Sequence, residues 1–272
     1  MDTLVTGHDG FIGKCLTREL ERQGHNIRGL SLKNGDIRDK ETVDKFVKGA
    51  QFVYHLAAQT SVTKSFSDPH YDYEVNFLGT RNIIGACRKY SSKLIFVSSA
   101  AVYGNPMEIP LKESTPKLPA NFYGLHKYLA ESLCDGNSFI VRLANVYGLN
   151  GNGVINVFIK HVMQKEPITF FNDGTNTRDY VHISDVVKAL LLGMKHQGIF
   201  NIGSGEEVTL NEVVNIIEKE TGLKAIKEFK KAENDVKRSC LDISKAKKEL
   251  GWKPVMNLSQ GIKEIVRNES LS

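Results

Sequence analysis

Hydrophobic positions along the chain form short continuous runs, separated by stretches in which they recur every three or four residues. The runs FVYHLA at 52–57 and LIFVSS at 94–99 are mostly apolar, as is typical of strands buried on both faces of a parallel sheet. The pattern predicts strands at residues 3–6, 26–32, 51–56, 93–98 and 139–143, and helices at residues 12–23, 40–47, 73–89 and 122–134. Because strands and helices alternate, we predict an α/β fold with a doubly wound parallel sheet.

The rhythm of the pattern changes after about residue 148. Helices are predicted at 155–164, 183–195, 210–221, 244–250 and 258–266, with a strand at 168–171 and a charged, irregular segment at 225–237. We interpret this half as extra strands of the same sheet and a smaller, mostly helical C-terminal substrate-binding lobe. The predicted domains are 1–148, with later returns to the sheet around 179–203, and 149–272.

Composition places the chain among ordinary globular proteins. It has 272 residues, of which 41% are hydrophobic and 25% charged, enough for a sizeable core. The formal net charge is +5, but the basic residues are scattered, so we expect no nucleic-acid partner. A mildly basic balance suits a ligand that carries phosphates.

The cysteines and the first residues of the chain bear on the cellular compartment in which the protein works. Cys15, Cys87, Cys134 and Cys240 are too far apart for a C-x-x-C site, so we expect no metal and a reducing environment. The first predicted strand starts almost at Met1, and no window approaches the ~20 apolar residues that span a bilayer. We therefore predict a cytoplasmic protein without a membrane partner.

The first predicted strand leads into the glycine-rich turn GHDGFIG, residues 7–13, and then into a helix. Gly7 permits a tight turn, Gly10 lets the backbone approach a pyrophosphate, and Gly13 lets the helix pack close to the strand. A free helix N-terminus offers N–H groups to phosphates. A glycine triplet alone is also found in simple βα turns, but its position here predicts a Rossmann-like dinucleotide site.

The end of the second predicted strand bears on the choice of dinucleotide. Enzymes that use NAD commonly carry an acidic residue there, and this chain has Ser31 instead. Arg28 and Lys33 stand nearby and could meet a 2′-phosphate, so the sequence leaves NAD and NADP open. Asp36 is either a contact to the adenine end or a turn aspartate ahead of the next helix.

Three polar residues point to redox chemistry at a hydroxyl-bearing carbon. Ser99 ends a predicted parallel strand, where ligands bind in open α/β sheets, and Tyr123 and Lys127 are four apart on one helix face. A free phenol titrates near ~10, and a neighbouring ammonium is expected to lower that pKa. Tyr123 then exchanges a proton with the substrate oxygen, Ser99 holds that oxygen, and a nicotinamide takes the hydride.

This ordered set resembles the NAD-dependent epimerase/dehydratase family of extended short-chain dehydrogenase/reductases. The resemblance covers nearly the whole chain. Its stretches are GHDGFIG (7–13), GDIRD (35–39), VYHLAAQTSV (53–62), VNFLGTRN (75–82), SSAAVYG (98–104), YGLHK (123–127), VRLANVYG (141–148), DGTNTRDYVHISDVV (173–187), FNIGSG (200–205) and LGWKP (250–254).

The resemblance implies a role for each matching residue. The catalytic set is Ser99, Tyr123 and Lys127, and Lys127 would also hold the nicotinamide ribose. The implied cofactor contacts are Gly7, Gly10, Phe11, Ile12, Gly13, Ser31, Asp36, Ile37, Leu56, Ala57, Ala58, Asn76 and Val97. The implied substrate contacts, besides Ser99 and Tyr123, are Asn145, Val154, Phe170, Phe171, Arg178, Lys231, Asp235 and Ser239, with Arg178 as a phosphate clamp.

Departures from the family pattern narrow the reaction. Ala100 and Ala101 stand where dehydratases carry an Asp–Glu pair, so a 4,6-dehydratase is disfavoured. A phosphate-binding arginine is replaced by Ala232, and Lys230 or Lys231 would have to substitute. The small residue Ser239 makes this chain similar, at that position, to family members that also accept N-acetylated sugars.

The resemblance therefore implies an NAD-dependent nucleotide-sugar 4-epimerase of the UDP-hexose type, working through a 4-keto intermediate. One alternative is an NAD(P)H-dependent nucleotide-sugar 4-ketoreductase, which uses the same residues. A second is a protein that binds a dinucleotide without chemistry. The family commonly pairs the tyrosine-bearing helix across a two-fold axis, so we expect a homodimer.

Overall fold

The computed structural model describes residues 1–231 and 236–270. The strands are β1 Asp2–Thr6, β2 Asn26–Leu30, β3 Phe52–His55, β4 Lys93–Ser99, β5 Phe139–Leu143, β6 Asn145–Tyr147, β7 Pro167–Phe171, β8 Thr177–Arg178, β9 Tyr180–His182, β10 Gly198–Ile202, β11 Val208–Thr209 and β12 Ile226–Lys230. The α-helices are α1 Phe11–Arg22, α2 Lys40–Val47, α3 Val62–Ser67, α4 Pro69–Tyr73, α5 Thr80–Tyr90, α6 Phe122–Glu131, α7 Val154–Gln164, α8 Ile183–Leu192, α9 Leu210–Thr221, α10 Ser244–Leu250 and α11 Leu258–Glu269. A π-helical turn spans Glu74–Gly79 and a 3₁₀ turn spans Ala100–Tyr103.

A six-stranded sheet organises the first part of the chain. Its strand order is β10-β5-β4-β3-β1-β2, and the pairs from β5 to β2 are parallel. The chain moves outward from β1 in both directions, so the carboxyl ends of β1 and β3 lie at the switch point where ligands bind in such sheets. The Rossmann-like doubly wound parallel sheet is therefore confirmed.

One face of this sheet is covered by the apolar side chains of α2 and α5. Leu4 of β1, Val53 of β3 and Phe96 of β4 are fully buried, and they share one core with Val43 of α2 and Ile83 of α5. The predicted helix at 73–89 is divided in the structure, because the π-helical turn separates α4 from α5. Such turns often occur at functional sites.

The chain divides into two compact units. The first holds Met1–Gly104, Glu113–Leu143 and Val187–Phe200, and the second holds Asn105–Lys112, Ala144–Val186 and Asn201–Ser272. Of the segment predicted to return to the sheet, only β10 pairs with it, while β9 pairs with β6. The second unit has its own core, in which Ile159 of α7, Val213 of α9 and Ile262 of α11 are fully buried.

The segment at 225–237 differs from its prediction as an irregular stretch. Its first part is β12, which pairs in parallel with β7 from Ile226 opposite Pro167 to Lys230 opposite Phe171. All five side chains of β12 are exposed, so its sequence IKEFK carries no buried face that periodicity could reveal. In the described ranges, no helix has the length and apolar character to cross a membrane.

Candidate active site

The glycine-rich turn is shaped by close backbone contacts. Gly7 has φ +68°, and a Cβ on it would lie 2.9 Å from the Ala57 nitrogen. A Cβ on Gly13 would lie 2.1 Å from the Gly7 carbonyl oxygen, so any side chain there would push α1 away from β1. Gly10 directly precedes α1, and no described side chain caps the N-terminus of this helix. The first N–H groups of α1 therefore carry no side-chain cap, and their predicted contact with a pyrophosphate stays a prediction.

A buried relay fixes the loop after β3 against this turn. The Leu56 and Ala57 nitrogens donate to Thr6 Oγ1 at 3.2 and 3.1 Å. His55 contacts Thr6 Oγ1 through Nδ1 at 2.8 Å and Thr80 Oγ1 through Nε2 at 2.9 Å. Burial lowers the pKa of His55 to about 3, with a smaller effect from Lys127, so the imidazole stays neutral. The relay positions the predicted cofactor-lining residues Leu56, Ala57 and Ala58.

The carboxyl end of β2 carries an acidic side chain that sequence reasoning missed. Asp9, from the glycine-rich turn, is hydrogen-bonded to Ser31 and lies 3.3 Å from Lys33 Nζ. Burial acts to raise the pKa of Asp9, but the bonds to Lys33 and Ser31 outweigh it and lower that pKa. Asp9 therefore stands as a carboxylate where β2 itself has none.

Both basic residues that were considered for a 2′-phosphate have protein partners in the structure. Arg28 donates Nη1 to the Lys48 carbonyl at 2.8 Å, and Lys33 is paired with Asp9. The suggestion that either side chain meets a 2′-phosphate therefore stays a prediction, and both have partners that the sequence alone did not reveal. Asp36 holds Arg38 at 2.7 Å and accepts from the Arg38 nitrogen, as a turn aspartate does, while Ile37 is buried beside Gly79.

Close packing brings Tyr123 to Ser99. Asn121 caps α6 by accepting from the Gly124 nitrogen at 2.8 Å. A Cβ on Gly124 would lie 2.4 Å from the Ala101 carbonyl oxygen, so only glycine lets α6 approach the 3₁₀ turn this closely. Tyr123, the residue directly before Gly124, is hydrogen-bonded to Ser99. The structure thus joins two of the three predicted catalytic residues.

Lys127 is almost fully buried, with 2% of its surface exposed, and donates Nζ to the Val97 carbonyl at 3.0 Å. Burial lowers the pKa of Lys127 to about 8, against the charges of Asp72 and Glu131, which raise it. Lys127 thus keeps a proton at neutral pH, and its contact places Val97, a predicted cofactor residue, beside the catalytic set.

The sequence predicts a lowered pKa for Tyr123, and this prediction is wrong for this structure. Burial raises the pKa of the phenol, the Ser99 hydrogen bond lowers it, and the charge of Asp72 raises it further. The net shift is upward because desolvation of the phenolate is the largest effect and Lys127 aims its ammonium at Val97.

Asn76, predicted as a cofactor contact, has a different side-chain role. It is fully buried, accepts from the Gln59 nitrogen at 3.1 Å, and donates to the Gln59 carbonyl at 2.8 Å and to Asp72 at 3.0 Å. Because both N–H bonds of the amide are used internally, the side chain positions neighbouring loops. The sequence could not reveal these partners, which lie on separate elements.

A buried charged cluster supports the C-terminal end of α6. Arg142 of β5 donates Nη2 and Nε to Glu131 at 2.6 and 3.1 Å, and Nη1 to the Tyr103 hydroxyl at 2.9 Å. Ser98 is hydrogen-bonded to Glu131. Arg142 is 2% exposed and Glu131 is 6% exposed. The cluster ties α6 to β4, β5 and the 3₁₀ turn.

The predicted substrate residues belong to the second unit, apart from Ser99 and Tyr123. Asn145 donates to the Asp179 carbonyl at 3.2 Å, and Arg178 donates Nη1 to the Val236 carbonyl at 2.6 Å. Asp179 is buried and accepts from the Ser204, Gly205 and Leu241 nitrogens. Val154 begins α7 and Ser239 is half-buried, whereas Lys231 is exposed.

Phe170 needs a correction among these residues. It is 0% exposed, with its ring 5.6 Å from Phe158 and 5.5 Å from Phe229, so its side chain belongs to the core of the second unit. An apolar residue in a strand gives no sign of which neighbour covers it. Asp235 and the side chain of Phe171 lie outside the described part of the chain.

Comparison with known proteins agrees with this geometry. The model of the NAD-dependent epimerase/dehydratase family matches residues 3–203. The UDP-glucose 4-epimerase of Mycolicibacterium smegmatis is 35% identical over 99% of this chain and 100% of its own length.

Two crystal structures give similar agreement. UDP-glucose 4-epimerase from Thermotoga maritima, with UDP-glucose, matches at a TM-score of 0.93 and 30% identity over 100% of both chains. UDP-glucose 4-epimerase from Thermus thermophilus, in complex with NAD, matches at a TM-score of 0.91 and 31% identity over 98% of both chains. A family match over most of the chain, together with 35% identity across nearly its full length, establishes that this protein belongs to the NAD-dependent epimerase/dehydratase family, as its motifs predict.

Proposed function

We propose that this chain is an NAD-dependent nucleotide-sugar 4-epimerase that interconverts UDP-hexoses through a transient 4-keto sugar. The observation that carries the proposal is the hydrogen bond between Ser99 and Tyr123, next to the buried Lys127. These residues lie in the same unit as a glycine-rich turn that fits a pyrophosphate. Relatives that match along the whole chain include UDP-glucose 4-epimerases.

Tyr123 moves the proton in this reaction. As the phenolate, Tyr123 accepts the proton of the C4 hydroxyl. It returns that proton after the 4-keto sugar has rotated to present its other face. Ser99 donates to the same oxygen and restrains it while charge develops there. A nicotinamide held by Lys127 would supply hydride acceptance and return at C4, so the net reaction would consume no cofactor.

Two further groups orient the reactants. Lys127 would hold the nicotinamide ribose, a task that suits a buried lysine whose pKa of about 8 keeps it protonated at neutral pH. We assign the nucleotide diphosphate to Arg178 and Asn145, because a planar guanidinium binds phosphate oxygens in pairs. Lys231 adds charge in place of the arginine that Ala232 replaces.

Turnover without added cofactor tests this function. Purified protein is incubated with UDP-galactose alone, and the sugar is analysed by NMR for UDP-glucose. We expect interconversion to equilibrium with no lasting change in nicotinamide absorbance. Stoichiometric use of NADH or NADPH would instead identify a 4-ketoreductase, and dinucleotide binding without turnover would identify a non-catalytic protein. A parallel assay with UDP-N-acetylglucosamine tests whether the small Ser239 lets the site accept N-acetylated sugars. Turnover of the plain sugars alone would reject that hypothesis.

We further propose that Asp9 takes the ribose-recognition role usually filled at the end of β2. Its carboxylate lies beside Ser31, where it accepts hydrogen bonds from the adenosine ribose and repels a 2′-phosphate. Asp9→Ala is expected to weaken NAD binding about tenfold, as loss of a charged hydrogen bond does. The same change should strengthen NADP binding, because Lys33 is then free to meet the phosphate.

Calorimetry on the cofactor-free protein measures both affinities. The matched control is Asp9→Ala/Lys33→Ala, which should lose NAD affinity without gaining NADP affinity. If Asp9→Ala binds NAD normally and still rejects NADP, Asp9 is not the selective residue.

We infer that the protein is a homodimer joined through α3, α4 and α6. These helices expose several large apolar side chains, which are Phe66, Tyr73, Phe122, Leu125, Tyr128 and Leu129. Leu125 and Leu129 of α6 are 37% and 36% exposed, so their side chains face away from the sheet. An exposed apolar patch of this kind is typical of an interface.

The variant Leu125→Glu/Leu129→Glu is expected to be monomeric, because each dimer would bury four carboxylates at the contact. Light scattering after gel filtration should give about the 30.4 kDa of one chain instead of twice that mass. Val255→Glu, at an exposed position of the second unit, should leave the mass unchanged. A wild-type protein that is already monomeric contradicts the inference.

We also infer a cytoplasmic location. Cys15, Cys87, Cys134 and Cys240 are free thiols, and burial raises the pKa of each. Separate, protonated thiols suit a reducing compartment. Cell fractionation with antibodies to the protein tests this location.

A further inference from the structure

A buried carboxyl group directly follows the arginine to which the nucleotide diphosphate is assigned. Asp179 is 1% exposed and lies between β8, which ends at Arg178, and β9. Its backbone carbonyl accepts from the Asn145 nitrogen at 3.0 Å and from Asn145 Nδ2 at 3.2 Å. Asp179 therefore adjoins both residues that are assigned to the diphosphate, and the reaction derived above does not use it.

Four donors from two separate segments surround the side chain of Asp179. The Ser204 nitrogen and Ser204 Oγ donate to its Oδ1 at 2.6 and 2.7 Å. The Gly205 and Leu241 nitrogens donate to its Oδ2, each at 3.2 Å. Burial raises the pKa of Asp179 although these hydrogen bonds act to lower it, as happens to a carboxyl group shut off from water. Both oxygens serve as acceptors, so the side chain ties the loop 203–205 to the segment 236–241.

The loop 203–205 is shaped to reach this carboxyl group. A Cβ on Gly203 would lie 2.3 Å from Asp179 Oδ2, so any side chain at position 203 would displace either the loop or the hydrogen-bonded carboxyl group. Glycine at one position and aspartate at the other therefore fit one another. Gly203 belongs to the stretch FNIGSG, to which the reaction gives no task.

The segment 236–241 carries an acceptor of the Arg178 guanidinium. Arg178 Nη1 donates to the Val236 carbonyl at 2.6 Å. Leu241, at the other end of the segment, is bound to Asp179 through its backbone nitrogen. Two consecutive residues thus hold the two ends of one segment. A shift of the end at Asp179 would move the carbonyl on which the guanidinium rests.

We infer that Asp179 is a positioning residue, which fixes the segment 236–241 and the loop 203–205 so that the Arg178 guanidinium is in place for the nucleotide diphosphate before the ligand binds. The inference rests on the proposed function and deepens it at the same site. Preorganisation strengthens binding because fewer groups lose freedom when the ligand arrives. A guanidinium binds phosphate oxygens through a rigid planar fork, so its orientation decides how well it binds.

Calorimetric titration with UDP and with uridine tests the inference. Asp179→Asn sets an NH₂ group against a backbone N–H whichever way the amide turns, so at least one buried donor loses its acceptor. We expect UDP to bind about tenfold more weakly, whereas uridine, which has no phosphate, should bind within about twofold of its wild-type affinity. In turnover assays the KM for UDP-galactose should rise by a similar factor, while kcat changes by less than about twofold.

Asp185→Asn provides the matched control. Asp185 is fully buried in the same unit, and its Oδ2 accepts from the Val255 and Met256 nitrogens, both at 2.9 Å. The change takes an acceptor from backbone N–H groups in the same way, but at a different segment from the one that holds Arg178. UDP affinity should stay within about twofold of the wild type. If both variants weaken UDP and uridine alike, Asp179 has only a structural role and the inference is overturned.

A double-mutant cycle shows whether Asp179 acts through Arg178. UDP affinity is measured for Arg178→Ala, for Asp179→Asn and for the variant that carries both changes. If the carboxyl group works by placing the guanidinium, the double variant should bind UDP as weakly as Arg178→Ala alone, to within about twofold. Losses that add in full would contradict the inference.

Ser204→Ala decides the question if Asp179→Asn does not fold. This variant removes one donor to Asp179 Oδ1 and leaves the three backbone donors in place. UDP should bind about threefold more weakly to Ser204→Ala than to the wild type, and the change should have no further effect in Arg178→Ala. An unchanged UDP affinity of Ser204→Ala would speak against the inference.

The same titrations separate this inference from the proposed function. A wild-type protein that binds UDP but epimerises no nucleotide sugar would disprove the function, and the cycle would still decide the role of Asp179. Additive losses in an active epimerase would disprove the inference alone. A wild-type protein that binds no UDP would overturn both.

Discussion

Replacing Tyr123 by phenylalanine is expected to lower kcat about 10²–10⁴-fold, the range typical for loss of a positioned acid–base group. The ring keeps its place beside Ser99, so only the ionisable oxygen is removed. Binding of UDP and of the dinucleotide should remain close to that of the wild type. Initial rates of UDP-galactose conversion and calorimetric titration with UDP measure the two effects.

Tyr128→Phe provides the matched control. Tyr128 lies on the same helix, one turn and a half beyond Tyr123, and is 37% exposed. Loss of the Tyr128 hydroxyl should leave kcat unchanged. Near-normal turnover by the Tyr123 variant would reject the assignment of the proton acceptor, whereas loss of UDP binding would indicate a general disturbance of the helix.

Glu131→Gln is expected to lower the free energy of unfolding by about 3–5 kcal/mol, because it leaves the guanidinium of Arg142 buried without a counter-charge. Arg142 donates three hydrogen bonds to this carboxylate and is 2% exposed, so solvent cannot replace the lost charge. Denaturant unfolding followed by circular dichroism measures the effect.

Removal of both charges should be milder than removal of one. In Glu131→Met/Arg142→Leu neither partner leaves an unpaired buried charge, and apolar side chains fill the space, so most of the lost stability should return. Glu19→Gln, which breaks the exposed Glu19–Arg22 pair, should leave the unfolding midpoint nearly unchanged. A Glu131 variant as stable as the Glu19 variant would show that the buried pair contributes little.

Local signals along the sequence explain why much of the first unit could be predicted. Helix α2 has the predicted bounds 40–47, since Asp39 caps it by accepting from the Glu41 and Thr42 nitrogens and Val43 and Val47 are buried at helical spacing. The glycine-rich turn is equally local, because its three glycines and the helix that follows are contiguous. Where the physical cause lies within a few residues, the pattern and the structure agree.

Contacts between distant segments explain what could not be predicted. Asp9 meets Ser31 and Lys33 only because β1 and β2 are neighbours in the sheet. The pair of Asp72 and His126 joins residues 54 positions apart. Burial of Tyr123 likewise sets the direction of its pKa, and burial cannot be read from the spacing of a tyrosine and a lysine. The site roles of the individual residues stay predictions until the variants are measured.

The tight approach of Gly124 to Ala101 constrains how this protein can evolve. A single added methyl group would collide with the Ala101 carbonyl at 2.4 Å, so inherited change at position 124 has to displace the whole tyrosine-bearing helix. Substitutions there should be lost from natural populations for the same reason as loss of the phenol itself, although glycine has no functional group. We therefore expect position 124 to be constrained by backbone shape alone.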